Sequence, residues 1–280
     1  MLPFWASIAA LSLVQGALVA LPGRLVSQRL TGLRGRRWAL IPPLSVIGFV
    51  LAASAAERAS ADGLTYLALI AVPVLAAVAL GWLCAFASPR LALLVAPLFA
   101  VAWIDPGGLA GEGSALVLSV LSCVTLGVLL AAVTPARWLA VGIVAMAVAD
   151  TALVVSDLLQ KPNNALNAAH PIAHLPRLQS EVFGNAVMGY GDVFIAGVLG
   201  ALLALTYGRR AQLRAARLVA LLALAFDLLF FAVDELPATV PVALALVLVI
   251  LSRRSVARRR SARAHPAAAE PHRRSSAAAP

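Results

Sequence analysis

The chain has 280 residues, 62% of them hydrophobic and 12% charged, with a formal net charge of +10. Soluble domains carry about 25% charged residues, so this composition excludes a water-soluble globular protein and predicts an all-α membrane protein. The arginines are spread over several loops and not gathered on one face, which points to membrane topology and anionic lipid and away from nucleic acid.

Nine apolar segments follow in chain order, at 3 to 22, 38 to 56, 64 to 87, 91 to 104, 115 to 134, 138 to 156, 186 to 207, 215 to 233 and 236 to 251. A helix needs about 20 such residues to cross a ~30 Å hydrocarbon core, and the fourth segment is the shortest. Arg24, Arg29, Arg34, Arg36 and Arg37 follow the first segment; Arg90, Arg137 and the group Arg209, Arg210, Arg214 and Arg217 recur at every second connection. With the C-terminal arginines these account for nineteen of the 22 basic residues. The positive-inside rule then predicts about nine transmembrane helices, with the N-terminus out and the C-terminus cytoplasmic. No basic residue precedes the first apolar segment, so it reads as an uncleaved span and not a signal peptide.

The layout is that of a multi-pass protein of a prokaryotic plasma membrane. Residues 1–137 are expected to form an N-terminal membrane region of about five helices, 138–251 a second membrane region of about four, and 252–280 a disordered basic cytoplasmic tail suited to anionic lipid. Cys84 and Cys123 fall inside apolar segments and read as packing residues. His170 and His174 are four apart in the connection from 157 to 185, but prolines interrupt it, so no metal site is expected there. That connection reads as an outer lid.

Three carboxylates stand inside apolar segments: Asp150, Asp192 and Asp227. Insertion scales set the cost of such a residue at about 2.5 to 3.5 kcal/mol, which makes each a candidate for function. Asp150 and Asp192 lie on consecutive antiparallel segments, each roughly 9 Å below the outer boundary at the helical rise. Two carboxyls at one depth can share a proton, one activating water while the other polarises a carbonyl. Asp227 lies among Phe226, Leu228, Leu229 and Phe230 and reads as a carboxyl hydrogen-bonded between helices. Asp157 is expected at the outer interface.

Gly189 and Gly191 flank Tyr190 directly before Asp192 and leave room for another backbone. Further on, "LPATVP" places Pro237 and Pro241 four apart, so Pro241 cannot give the Pro237 carbonyl its helical donor. Open backbone groups at membrane depth are tolerated where they line a polar cavity, and an extended substrate can pair with them. The alternative is a proline accommodated in a first helical turn.

At these residues the chain resembles the GxGD intramembrane aspartyl proteases, the family of signal peptide peptidase and presenilin. The resemblance rests on "GYGD" at 189 to 192, the upstream Asp150, and "LPATVP" at 236 to 241 in the place of that family's PAL motif. It implies that Asp150 and Asp192 form the catalytic pair. Gly189, Tyr190 and Gly191, with Pro237, Ala238, Thr239, Val240 and Pro241, would then receive a transmembrane or signal-peptide substrate. Ala149 stands where the family usually has tyrosine, and Tyr190 where leucine is common. The type IV prepilin peptidases share "MGYGD" but usually carry lysine two residues after the aspartate, where Phe194 stands here. A proton- or cation-coupled transporter or scaffold is the non-enzymatic alternative, since buried carboxylates and broken helices serve that chemistry too.

Overall fold

The computed structural model describes residues 2–24, 32–169, 175–233 and 235–264. The described residues are 78% helical, in ten α-helices, so helix packing decides the architecture. In chain order these are α1 (Phe4–Ala20), α2 (Ile41–Ala55), α3 (Glu57–Val78), α4 (Val95–Ile104) and α5 (Leu109–Val133). They continue with α6 (Ala136–Val155), α7 (Gln160–Ala168), α8 (Tyr190–Thr206), α9 (Arg209–Asp227) and α10 (Val240–Ala264). Between α7 and α8 stand two short strands, β1 (Ser180–Phe183) and β2 (Ala186–Gly189).

Among the described residues, three helical stretches are long and apolar enough to cross a membrane: Ala59–Leu83, Leu109–Val133 and Ala136–Val155. Their outer faces suit hydrocarbon, with Leu67, Ile70 and Val148 exposed, while Ser12, Gln15, Ser122, Thr125 and Thr239 are buried. Apolar residues outside and paired polar groups inside are what a helical protein adopts in lipid, where backbone and side-chain polar groups must be satisfied internally.

The central helix is α5, whose most apolar window is 72% buried, against 28% for the α3 stretch and 33% for α6. It lies directly on α8. A Cβ at Gly127 would come within 2.5 Å of the Gly197 carbonyl carbon, and one at Gly197 within 2.6 Å of the Cys123 carbonyl oxygen. The two glycines therefore set the separation of these helices, the usual small-residue contact of membrane interiors. Helix α1 packs against both α8 and α9. Cys84 and Cys123 are free and buried.

Several boundaries differ from those read in the sequence. Helix α3 starts at Glu57, because the polar run before its apolar core is rich in alanine and other helix formers; it ends in a π turn at Ala79–Leu83. Helix α10 continues to Ala264, where the sequence reads an unstructured tail from 252; alanine and arginine both favour helix. The remainder of the tail, His170 and His174 lie outside the described residues.

The largest departure is the segment before α8. Residues 186 to 189, read as the start of an apolar helix, form β2, which pairs antiparallel with β1 in the register Ser180 to Gly189 and Phe183 to Ala186. Gly184 has φ +60° at the first turn position while Asn185 has no positive φ, the pattern of a two-residue II′ hairpin. The Gly184 N–H donates to Glu112 on α5 at 2.7 Å, and the Asn185 N–H donates to Ser7 on α1 at 3.1 Å. Two neighbouring helices thus pin the hairpin tip.

Candidate active site

Because β2 ends at Gly189, helix α8 begins at Tyr190, and Asp192 occupies its first turn rather than lying about six residues deep. Negative charge is stabilised there by the unpaired N–H groups and dipole of a helix start. A Cβ at Gly189 would sit 3.1 Å from Asp192 Oδ2, so glycine keeps this carboxylate unobstructed. At Gly191 a Cβ would meet only Met146 Cε, at 3.5 Å, so packing alone does not require that glycine.

Tyr190 is fixed from α5. Ser122 donates its hydroxyl hydrogen to the Ser119 carbonyl at 2.6 Å, which makes the Tyr190 hydroxyl the donor in the 2.6 Å contact between Tyr190 and Ser122. The ring therefore stands between the α5 core and the cavity in front of Asp192.

Asp150 sits on α6, 5% exposed. Thr239, fully buried, donates its hydroxyl to Asp150 Oδ2 at 2.6 Å. Thr239 belongs to the proline-rich entry. Helix α10 starts at Val240, so Pro241 falls in its first turn, where the missing N–H is harmless. The carbonyl of Pro237, expected to lack a donor, accepts from the Val240 N–H at 3.1 Å. A side chain serves the next carbonyl: Gln15 Nε2, from α1, donates to Ala238 at 2.9 Å. The same nitrogen donates to the Asp192 backbone carbonyl at 3.2 Å.

Asp150 and Asp192 open on one cavity of about 970 Å³, which Gly189, Tyr190, Gly191, Ala238 and Pro241 also line. Asp227 reaches the same cavity and accepts a hydrogen bond from Ser12 on α1 at 2.7 Å. Glu235 stands at its polar side, where Asn163 Nδ2 on α7 approaches Glu235 Oε1 at 3.4 Å. The remaining walls are largely apolar, with Val46, Leu75 and Leu126 among them. Such a space accepts an apolar chain and presents acids to it. Among the described residues, no group of three or more His, Cys, Asp and Glu side chains converges as a metal site would require.

Pro237, Thr239 and Val240 are not among the residues lining the cavity; Pro237 and Val240 shape the turn that presents Ala238, and Thr239 reaches the cavity only through its bond to Asp150. Sequence reasoning passed over Ser12 and Gln15. Their signal was modest: two polar residues three apart, hence on one face, in an otherwise apolar helix.

A second buried acid lies beside the site. Glu181, on β1, is 1% exposed, and neither carboxyl oxygen has a hydrogen-bond partner among the described residues. Burial pushes this group up to about 8. No known protein family, curated protein or solved structure matches the chain, so the resemblance to the GxGD proteases rests on these motifs and their convergence.

Proposed function

We propose that the protein is an intramembrane aspartyl protease of the GxGD type, cleaving peptide bonds of transmembrane segments or signal peptides with Asp150 and Asp192. The observation that carries this reading is the meeting of three motifs distant in sequence. Asp150 is held by Thr239 of "LPATVP", Asp192 opens on the same cavity, and the backbones of Asp192 and Ala238 share one donor.

The chemistry is that of a carboxyl pair holding one proton. One carboxylate takes a proton from water as the oxygen attacks the peptide carbonyl carbon, and the other carboxylic acid gives its proton to the carbonyl oxygen. Collapse of the resulting diol returns a proton to the leaving amine. The apolar walls accept the substrate segment, and the open backbone around Gly189 and Gly191 gives an unwound stretch room beside Asp192.

In this reading the chain spans a prokaryotic plasma membrane about nine times, N-terminus out and C-terminus in, with its basic end against anionic lipid. The alternation of arginine-rich and acidic connections supports that arrangement. The prepilin-type alternative is weaker, because buried Phe194 occupies the position where that family usually has lysine. Four carboxylates, Asp150, Asp192, Asp227 and Glu235, line the cavity with no basic side chain among the described lining residues, which favours proton or cation transport as the second reading.

Reconstitution in liposomes with a single-span substrate separates the two. Proteolysis that disappears in both Asp150→Ala and Asp192→Ala supports the protease. Proton-coupled flux that both substitutions abolish, without proteolysis in the native protein, replaces it with the transporter.

A further inference from the structure

Gln15 lies in the middle of α1, 1% exposed, within a stretch of mostly apolar residues. Both hydrogens of its Nε2 are used, one on the Asp192 carbonyl and one on the Ala238 carbonyl. Its own Oε1 has no partner among the described residues. A methionine would fill the same space without an unpaired acceptor, so packing does not explain the glutamine.

We infer that Gln15 is the positioning residue of the aspartate pair, an inference that rests on the protease reading. Its amide closes a loop of contacts. From Nε2 one bond leads to the residue that carries the Asp192 carboxylate; the other leads to Ala238, whose neighbour Thr239 holds Asp150. The spacing of the two carboxyls is therefore set through α1 as well as through the helices that bear them. Ser12, one turn earlier on the same face, donates to Asp227, so α1 presents two polar side chains to the cavity. A positioning group of this kind acts on the reacting geometry more than on the affinity for an apolar substrate.

The test uses the full chain in liposomes with a single-span substrate and compares the native protein with Gln15→Met, Gln15→Glu and the outward-facing control Leu13→Met, whose position is 52% exposed. Gln15→Met is expected to lower kcat about tenfold or more with KM within about twofold, because the donor is lost while the apolar walls remain. Gln15→Glu is expected to be equally slow at alkaline pH and to recover on acidification, when the carboxylic acid can donate its O–H to one of the two carbonyls. Asp150, Asp192, Asp227 and Glu235 face the same cavity in every variant, so recovery is read as the ratio of Gln15→Glu to the native rate at each pH.

A second readout does not depend on activity. Cysteines placed at 192 and 238, with Cys84 and Cys123 replaced by alanine, are expected to cross-link more slowly when Gln15→Met is added. Native kcat and KM in Gln15→Met, with unchanged cross-linking, overturn the inference. If the native protein cleaves nothing, the protease reading falls, and the cross-linking rate alone decides whether Gln15 positions the two segments.

Discussion

Thr239 donates its hydroxyl to Asp150 at 2.6 Å inside the protein, joining a residue of the proline-rich entry of α10 to the acid of α6. The threonine stands at the position just before the helix, where such a hydroxyl ordinarily caps its own helix. Here it serves a carboxyl group on another element. A contact of that kind sets the orientation of the Asp150 side chain and ties the irregular entry to the bundle.

Thr239→Val keeps the shape and removes the hydroxyl, leaving a buried carboxyl oxygen with one donor fewer. Thermal unfolding in detergent should show a loss on the order of 1 to 3 kcal/mol, with proteolysis falling more steeply than stability. Thr239→Ser, which retains the donor, should stay close to the native protein in both measurements.

Gly189 and Gly191 should respond differently to alanine. At 189 the added methyl meets Asp192 Oδ2 at 3.1 Å and displaces the carboxylate; at 191 it makes only ordinary contact with Met146. Gly191→Ala should therefore fold with native stability, so any fall in its cleavage reports narrowing of the cavity. Gly189→Ala should lose activity through the carboxylate itself, with KM less affected than kcat. Steady-state kinetics beside thermal unfolding distinguish the two effects.

Glu181 makes stability depend on pH. Its folded value is raised from the ordinary 4.5 to about 8, so the folded state binds the proton more tightly than the unfolded chain. The contribution is fully present below about pH 4.5 and is lost as pH rises through about 8. Glu181→Gln cannot release that proton; the difference in unfolding temperature between variant and native protein should therefore shift in favour of the variant from pH 5 to pH 9. An unchanged difference over that range would show that Glu181 is not buried as described.

The apolar segments of the sequence correspond to helices because hydropathy reports directly which stretches avoid water. Hydropathy does not report periodicity over four residues. "AVMG" at 186 to 189 was therefore absorbed into the following helix, although "EVFGNAVM" carries a Gly-Asn pair between two short apolar runs, the mark of a tight hairpin. Merging the two puts Asp192 in a helix interior, whereas the hairpin puts it at a helix start. Asp150, Asp192 and the proline entry are legible in the sequence because each breaks a local rule, an acid in lipid or a proline near a helix. Gln15 breaks no such rule strongly. Its partners lie 177 and 223 residues away, and only the packing of α1 on α8 and the α10 entry brings them together.

The most direct test of the aspartate pair is mass spectrometry of a single-span substrate after incubation with the reconstituted protein, Asp150→Asn and Asp192→Asn. These substitutions keep the side-chain shape and remove the proton chemistry. Cleavage within the span by the native protein, and its loss by at least about a thousandfold in each variant, is the predicted result. The same fragment at native rates from either variant would contradict a mechanism that needs both carboxyls.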